Sequence, residues 1–413
     1  VIEEVVKRPM TEIDAFFTEM ENIFAITAIS TLILLLSCSG DEIIVNSDNN
    51  QNQISDIKPI LKVYIENSGS MDGYMCDGSQ LKDAIFDYVS DLSTCVDTTQ
   101  LYYINNRVIP YHADLEQYIK TMNPITFQKA GGNRSNSDLS KMLSTVLDAM
   151  TDSTVSIFVS DCILDLPVSD AQRFLSTCQI SIKNTINKGR KNIPLLGVEI
   201  LKMKSDFNGK YFYQNGGSEV LTNVKRPYYI WIFGNSNVLA KLNTEVLFKG
   251  LEKYGYDNII SYCPKTSIPY DITNRALISK TINPIKGDYN ATIRADFCTT
   301  LQSEDVLLNL DNYSFNNQNL IIENIKPIIA TEREYSHFIN ITIPKGVNIA
   351  EDYLILKAPN MPSWVLESND ESGENVKGNL DKTTGIKYLI GGVSDAYKKD
   401  NVLTTLKFTV KRK

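Results

Sequence analysis

Histidine is nearly missing from this chain, which has only His112 and His337 among its 413 residues. The two fall in different predicted domains, so the chain offers few histidines for a Ser-His-Asp hydrolase or a His-ligated metal centre. The sequence also lacks a G-x-x-x-x-G-K-[ST] loop and a G-x-G-x-x-G loop after a strand, and the pair Gly391-Gly392 fits a turn better than a phosphate cradle. We therefore expect a protein that is not an enzyme and uses no nucleotide.

Cysteine pairs of the C-x-x-C type are lacking too, which disfavours a zinc ribbon or a thioredoxin-like site. Six of the seven cysteines lie in the predicted folded part, and export would permit disulfides among them. Cys162 and Cys178 fall in predicted core elements, where a free cysteine commonly behaves as a small apolar residue. The net charge is -8 and the basic residues are scattered, so no nucleic acid partner is expected.

No apolar run reaches the length of about 20 residues that a transmembrane helix needs. The run from Ile23 to Leu36 has the length of a signal-peptide core and is followed by Ser37-Cys38-Ser39-Gly40. This ending resembles a bacterial lipobox, whose cysteine is lipidated and becomes the first residue of the mature protein. A buried core helix is the alternative interpretation of the run.

The lipobox resemblance implies a division of the N-terminal part of the chain. Residues 1–37 would be a signal peptide, together with an upstream segment if translation starts later than Val1. Residues 38–57 would be the lipidated Cys38 and a polar tether that is too poor in apolar residues to fold alone. The protein would be anchored by its lipid in the bacterial cell envelope, at the outer membrane on its periplasmic or surface face.

The folded part is predicted to have two domains. Between residues 58 and 263, strands alternate with helices, which predicts an α/β domain with a doubly wound, mostly parallel sheet. A turn at Asn208-Gly209 is expected to form a hairpin insertion in it. Residues 264–287 are predicted as a linker, and short alternating segments from 288 to 413, among them Val306 to Leu310, predict an all-β sandwich.

The most informative motif follows the first predicted strand, Ile60 to Ile65. It reads Glu66-Asn67-Ser68-Gly69-Ser70. A carboxylate followed at two-residue intervals by two hydroxyls offers only hard oxygen donors, which suit Mg²⁺, Mn²⁺ or Ca²⁺. In an open α/β sheet, ligands bind where strands end.

Here the chain resembles the von Willebrand factor A family, whose metal-ion-dependent adhesion site begins with D-x-S-x-S after the first strand. The family adds a Thr from a Gly-rich loop before a helix. The corresponding Gly-rich loop here begins with Gly131-Gly132, and in it Ser137 matches the Thr best, with Ser135 second. It also adds an Asp after the fourth strand, which matches Asp161 at the end of Val155 to Ser160. The resemblance thus implies a metal site formed by Glu66, Ser68, Ser70, Ser137 and Asp161.

Two positions depart from the family pattern. Glu66 stands where the family has Asp, and Ser137 stands where it has Thr. Glu is one methylene longer, so we expect weaker metal affinity than the family pattern would give. The alternative is a degenerate site in which the same side chains only cap helices and connect loops.

We interpret the protein as a lipid-anchored envelope protein that binds a protein partner through the ion, with an acidic residue of the partner completing the coordination shell. The alternative is a structural envelope scaffold whose A-like domain holds no metal. Metal-dependent hydrolysis is less favoured, because no base is evident beyond the carboxylates assigned as ligands.

Overall fold

The computed structural model describes residues 58–135, 138–213, 216–246, 248–274, 277–279, 281–282, 287–329, 334–358, 361–399 and 401–410. Ser137 and the whole segment 1–57, with its expected signal peptide, lipidated Cys38 and tether, lie outside these residues. The described residues all belong to one structural unit, 54–413.

The first part of this unit is built on a seven-stranded sheet. Its strands are β1 (Ile60–Glu66), β2 (Thr98–Ile104), β3 (Val108–Tyr111), β4 (Thr154–Ser160), β5 (Leu196–Phe212), β6 (Ser218–Asn235) and β7 (Tyr256–Tyr262). They lie in the order β3-β2-β1-β4-β6-β5-β7. β1 pairs in parallel with β2 and β4, and the remaining pairs within this sheet are antiparallel.

The sheet is therefore mixed, and the expected mostly parallel arrangement holds only for its centre, β2-β1-β4. The outer strands reverse direction because β2 and β3, and likewise β5 and β6, are joined as hairpins, which makes neighbours antiparallel. The coarser expectation of an α/β part followed by a β-rich part is confirmed.

Helices cover both faces of this sheet. The nine α-helices are α1 (Gln80–Cys95), α2 (Leu115–Thr121), α3 (Pro124–Gln128), α4 (Leu139–Asp148), α5 (Ala171–Asn192), α6 (Ser236–Glu245), α7 (Glu304–Leu307), α8 (Ser363–Glu367) and α9 (Ile386–Tyr397) in the described residues. Leu61, Val63 and Ile65 of β1 belong to the core with α1, α2, α3 and α6, whereas Tyr64 belongs to the core with α4, α5 and α9. This alternation follows from a strand that is buried on both faces.

The predicted turn at Asn208-Gly209 is wrong. β5 continues through these residues with a bulge between Phe207 and Gly209, and the chain reverses only between Phe212 and Ser218. A Cβ added at Gly209 would lie 2.6 Å from Gly73 Cα. The glycine therefore allows the strand to pass close to the 3-10 helix Ser70–Tyr74 and is not needed for a turn.

The second part contains two further sheets and a short strand pair. Its strands are β8 (Tyr270–Asn274), β9 (Leu277–Ser279), β10 (Thr281–Ile282), β11 (Tyr289–Ala295), β12 (Tyr313–Phe315), β13 (Ile321–Pro327), β14 (His337–Ile343), β15 (Ile349–Lys357), β16 (Asn369–Asp370), β17 (Thr383–Thr384) and β18 (Val402–Val410). The sheet orders are β10-β18-β15-β12 and β13-β14-β11-β8-β9, and β16 pairs with β17. Inward-facing residues of both larger sheets share one apolar core. The segment expected as a linker supplies β8, β9 and β10.

Two elements of this second part differ from the prediction. Val306 to Leu310, predicted as a strand, contains the end of α7 and the start of a 3-10 helix, Leu310–Asn312. The pair Gly391-Gly392, predicted as a turn, lies inside α9. A Cβ added at Gly392 would lie 2.6 Å from the backbone oxygen of Gln179, so the glycine lets α9 cross α5 at close range.

We expect Gly392→Ala to lower the free energy of unfolding by roughly 1–3 kcal/mol, because the added methyl group overpacks a contact with backbone. Gly391→Ala is the matched control. The three atoms nearest to its added methyl group are side-chain atoms of Gln179 and Met361, each at 3.3 Å. The control should change stability little, and urea unfolding of both variants measures the difference. Equal losses in the two variants would contradict the close crossing.

Candidate functional site

The predicted motif lies at the end of β1, deep in the protein. Glu66 and Asn67 are fully buried, and Ser68 is 3% exposed. The hydroxyl oxygens of Ser68 and Ser70 are 3.0 Å apart, which places two hard oxygen donors side by side. Because Glu66 shares the face of β1 that carries Tyr64, its side chain points to the side of the sheet covered by α4 and α5.

Asp161 follows β4 directly and lies close to the motif at the end of β1. Its side chain is 1% exposed, and Oδ1 accepts a hydrogen bond from the backbone N–H of Ile163 at 3.2 Å. Oδ2 has no hydrogen-bond partner among the described residues. The next residue, Cys162, has a φ of 55°, a left-handed conformation that is uncommon for a non-glycine residue. A buried carboxylate oxygen without a partner is costly and marks a site where a ligand or a proton belongs.

The carboxylates of Glu66 and Asp161 are close enough to interact electrostatically. Burial, followed by the negative charge of Glu66, raises the pKa of Asp161 to about 7. The Ser70 hydroxyl, the Ile163 N–H and the positive charge of Arg226 act in the opposite direction. Glu66 Oε2 accepts a hydrogen bond from Ser160 Oγ. The site thus holds two carboxylates close together in a buried place.

Arg226 is a buried cation whose charge acts on Asp161, and sequence reasoning missed it. Its side chain is 2% exposed and lies over the Tyr211 ring at 5.1 Å. Its Nη1 donates to the backbone oxygens of Asn379 and Leu380, each at 3.1 Å. Arg226 stands between Lys225 and Pro227, so the local sequence gives no signal that its charge is buried.

The Gly-rich loop approaches the motif through Arg134. Arg134 donates to Asn67 Oδ1, to Asp72 Oδ1 and, at 2.9 Å, to the backbone oxygen of Ser68. The backbone N–H of Gly69 donates to the backbone oxygen of Arg134 at 3.2 Å. Arg134 therefore fixes the loop after β1, a role that the sequence did not indicate. Of the two serines considered for this loop, Ser135 lines the cleft described next, whereas Ser137 lies outside the described residues.

A cleft of about 630 Å³ opens above the motif. Ser68 and Ser70 are on its floor, and Glu66 and Asp161 lie behind them without lining it. One wall is the β5–β6 hairpin with residues 211–213, and another is residues 372–373 with Thr384. The backbone N–H of Leu164 donates to the backbone oxygen of Thr384 at 3.1 Å. The last part of the chain therefore completes a site that begins on the first strand.

The structure thus brings together four of the predicted metal ligands, Glu66, Ser68, Ser70 and Asp161. Within the described residues, no three or more Asp, Glu, His or Cys side chains are grouped so that they could hold a metal ion. A cation here would need the serine hydroxyls as ligands, as the motif implies. Cys162 and Cys178 are buried and form no disulfide with the described residues, as expected for cysteines in core elements.

Neither the known protein-family models nor the curated protein sequences match this chain. The resemblance to the von Willebrand factor A family therefore depends on the residues of the three loops. Among the helices of the described residues, none combines the length and the apolar character that crossing a membrane requires.

Proposed function

We propose that this protein binds a divalent cation, Mg²⁺ in the first place, behind the floor of the cleft and uses it to hold a carboxylate of a protein partner. The observation that carries the proposal is the buried Asp161 Oδ2, which has no partner in the described residues. The carboxylate of Glu66 and the adjacent hydroxyls of Ser68 and Ser70 supply the other hard oxygens that such a cation prefers.

The chain's own groups explain why a partner carboxylate would need the ion. Two buried carboxylates repel an incoming anion, and burial strengthens that repulsion. When bound, the ion supplies positive charge and an open coordination position. The bonds from Arg134 to Asn67 and Ser68 hold the loop in place, so little conformational entropy is lost on binding.

Calorimetry of the full chain with Mg²⁺ tests the proposal. We expect heat of binding for the wild type and none for Ser70→Ala, because this substitution removes one of the two adjacent hydroxyl oxygens proposed as ligands. Ser144→Ala on α4 is the matched control, since Ser144 is a partly exposed serine outside the site whose hydroxyl donates to Asp148 Oδ2 at 3.4 Å. Equal binding by wild type and Ser70→Ala would contradict the assignment of this ligand.

A second function is supported by Arg226 and Ser160. Arg226 lowers the pKa of Asp161, and Ser160 donates to Glu66, so part of the charge is balanced by the protein itself. On this account the protein is a structural envelope scaffold with a metal-free site. The absence of any heat with Mg²⁺, Mn²⁺ and Ca²⁺ would favour the scaffold.

The proposed location is the bacterial cell envelope, with the lipid on Cys38. We expect Cys38→Ala to abolish lipid attachment and to move the protein from the membrane fraction to the soluble fraction. Metabolic labelling with a fatty acid and fractionation measure both effects. Retention of the unlabelled variant in the membrane fraction would contradict the lipobox.

A further inference from the structure

The walls of the cleft restrict what can reach its floor. The hydroxyls of Ser68 and Ser70 lie between the β5–β6 hairpin and the segment that contains Thr384, and Ser68 is only 3% exposed. The volume of about 630 Å³ is in the range of sites for small ligands, which extends from roughly 300 to 1,000 Å³. This space suits a slim ligand better than the broad surface of a folded domain.

The cleft also has an apolar side next to its floor. Phe212 is 50% exposed although it lines the cleft. A Cβ added at Gly69 would lie 3.5 Å from Phe212 Cε2, so the ring lies against the backbone between Ser68 and Ser70. Large exposed aromatic side chains beside a polar site commonly serve in recognition.

The charges on the walls do not attract an anion by themselves. Asp72 and the exposed Asp165 line the cleft together with Arg134. The charge of Arg134 is paired with Asp72, which also accepts from Gln128 Nε2 at 2.9 Å. If a carboxylate enters this cleft, it therefore needs the proposed cation for its charge to be balanced, and a group beside it would meet the apolar ring of Phe212.

From this arrangement we propose that the partner segment is a short extended peptide in which an acidic residue is next to an apolar or aromatic residue. The acidic side chain reaches the floor between Ser68 and Ser70, and its neighbour packs on the exposed ring of Phe212. This inference rests on the proposed function, because the acidic side chain needs the bound cation.

The test is selection from a library of end-blocked random hexapeptides on the immobilised full chain in Mg²⁺, with elution by EDTA. We expect the eluted peptides to be enriched in Asp or Glu adjacent to Phe, Tyr, Trp, Leu or Ile. Phe212→Ala should remove the preference for the apolar neighbour and weaken binding of a selected peptide at least about tenfold, the usual effect of losing one well-buried apolar contact. Val220→Ala is the matched control, because Val220 is 65% exposed on the same hairpin but does not line the cleft.

The outcomes separate the two proposals. If calorimetry shows no Mg²⁺ binding, the proposed function fails. If Mg²⁺ binds but the eluted peptides have no acidic residue beside an apolar one, the inference is wrong while the metal site stands. The inference is also overturned if Phe212→Ala and Val220→Ala bind the selected peptide equally well.

Discussion

Replacing Glu199 by Gln is expected to raise the free energy of unfolding above pH 7 by on the order of 3 kcal/mol and to change it by less than about 1 kcal/mol at pH 5. Glu199 is 1% exposed on β5, opposite Ser261 of β7. Its Oε1 accepts from Asn243 Nδ2 at 2.8 Å and from Cys263 Sγ at 3.6 Å. Oε2 has no hydrogen-bond partner among the described residues.

The direction of the effect follows from the proton balance. Burial raises the pKa of Glu199 from an ordinary value near 4.5 to about 7. Between these two values the folded protein keeps the proton that the unfolded chain has already lost. The stability that this group contributes is therefore complete below about pH 4.5 and is lost as the pH rises through 7. Gln resembles the protonated acid and removes this loss.

The amide has suitable neighbours in the folded protein. Gln302 Oε1 and Thr299 Oγ1 are buried without hydrogen-bond partners in the described part of the chain. Both belong to the same cluster, because Gln302 Nε2 donates to the backbone oxygen of Ser261 and Asn243 Nδ2 also approaches the backbone oxygen of Thr299. We expect the new N–H groups to use these acceptors, while the oxygen keeps the bond from Asn243.

Urea unfolding of wild type and variant from pH 5 to pH 8 measures the difference between them. Glu199→Ala is the control. It leaves a cavity and an unpaired Asn243, so it should be destabilising at every pH in this range. A loss of stability in Glu199→Gln that is the same at pH 5 and pH 8 would contradict a proton on Glu199.

The sequence predicted well those elements whose signal is local. The apolar strand Ile60 to Ile65 and the strand that leads to Asp161 both form as expected. Each combines β-branched or aromatic residues with a clear turn or loop at its end. Parallel pairing then brings the ends of β1 and β4 together, which is why Glu66 and Asp161 could be predicted as neighbours.

The errors arose where a long-range contact decides the structure. Glycines at positions 209 and 392 suggested turns, but each allows two chain segments to pass closely, and the partner segment is more than 100 residues away in sequence. For the same reason the sequence did not predict the wall of the cleft that contains Thr384. Nothing in the sequence near Thr384 indicates that it pairs with Leu164, since the two meet only after both parts have folded.

Addition of Mg²⁺ is expected to reverse the order of stability of wild type and Asp161→Asn at pH 8. Without metal, the variant should be at least as stable as wild type, because Asn removes one of two buried like charges while its Oδ1 can still accept from the Ile163 N–H. With metal at a hundredfold excess over Kd, the wild type should gain about 2.7 kcal/mol, and the variant should gain nothing.

Thermal unfolding in EDTA and at a series of Mg²⁺ concentrations measures this reversal. Asp165→Asn is the matched control, since Asp165 is an exposed carboxylate that lines the same cleft outside the proposed ligand set. The control should keep the full increment from the metal. The two accounts of the site predict different results. If Arg226 alone balances the charge and no metal binds, Mg²⁺ changes the stability of neither variant nor of the wild type, and their order of stability stays the same. A wild type whose melting temperature is the same at all concentrations of Mg²⁺, Mn²⁺ and Ca²⁺ would therefore contradict the metal site and favour the metal-free alternative.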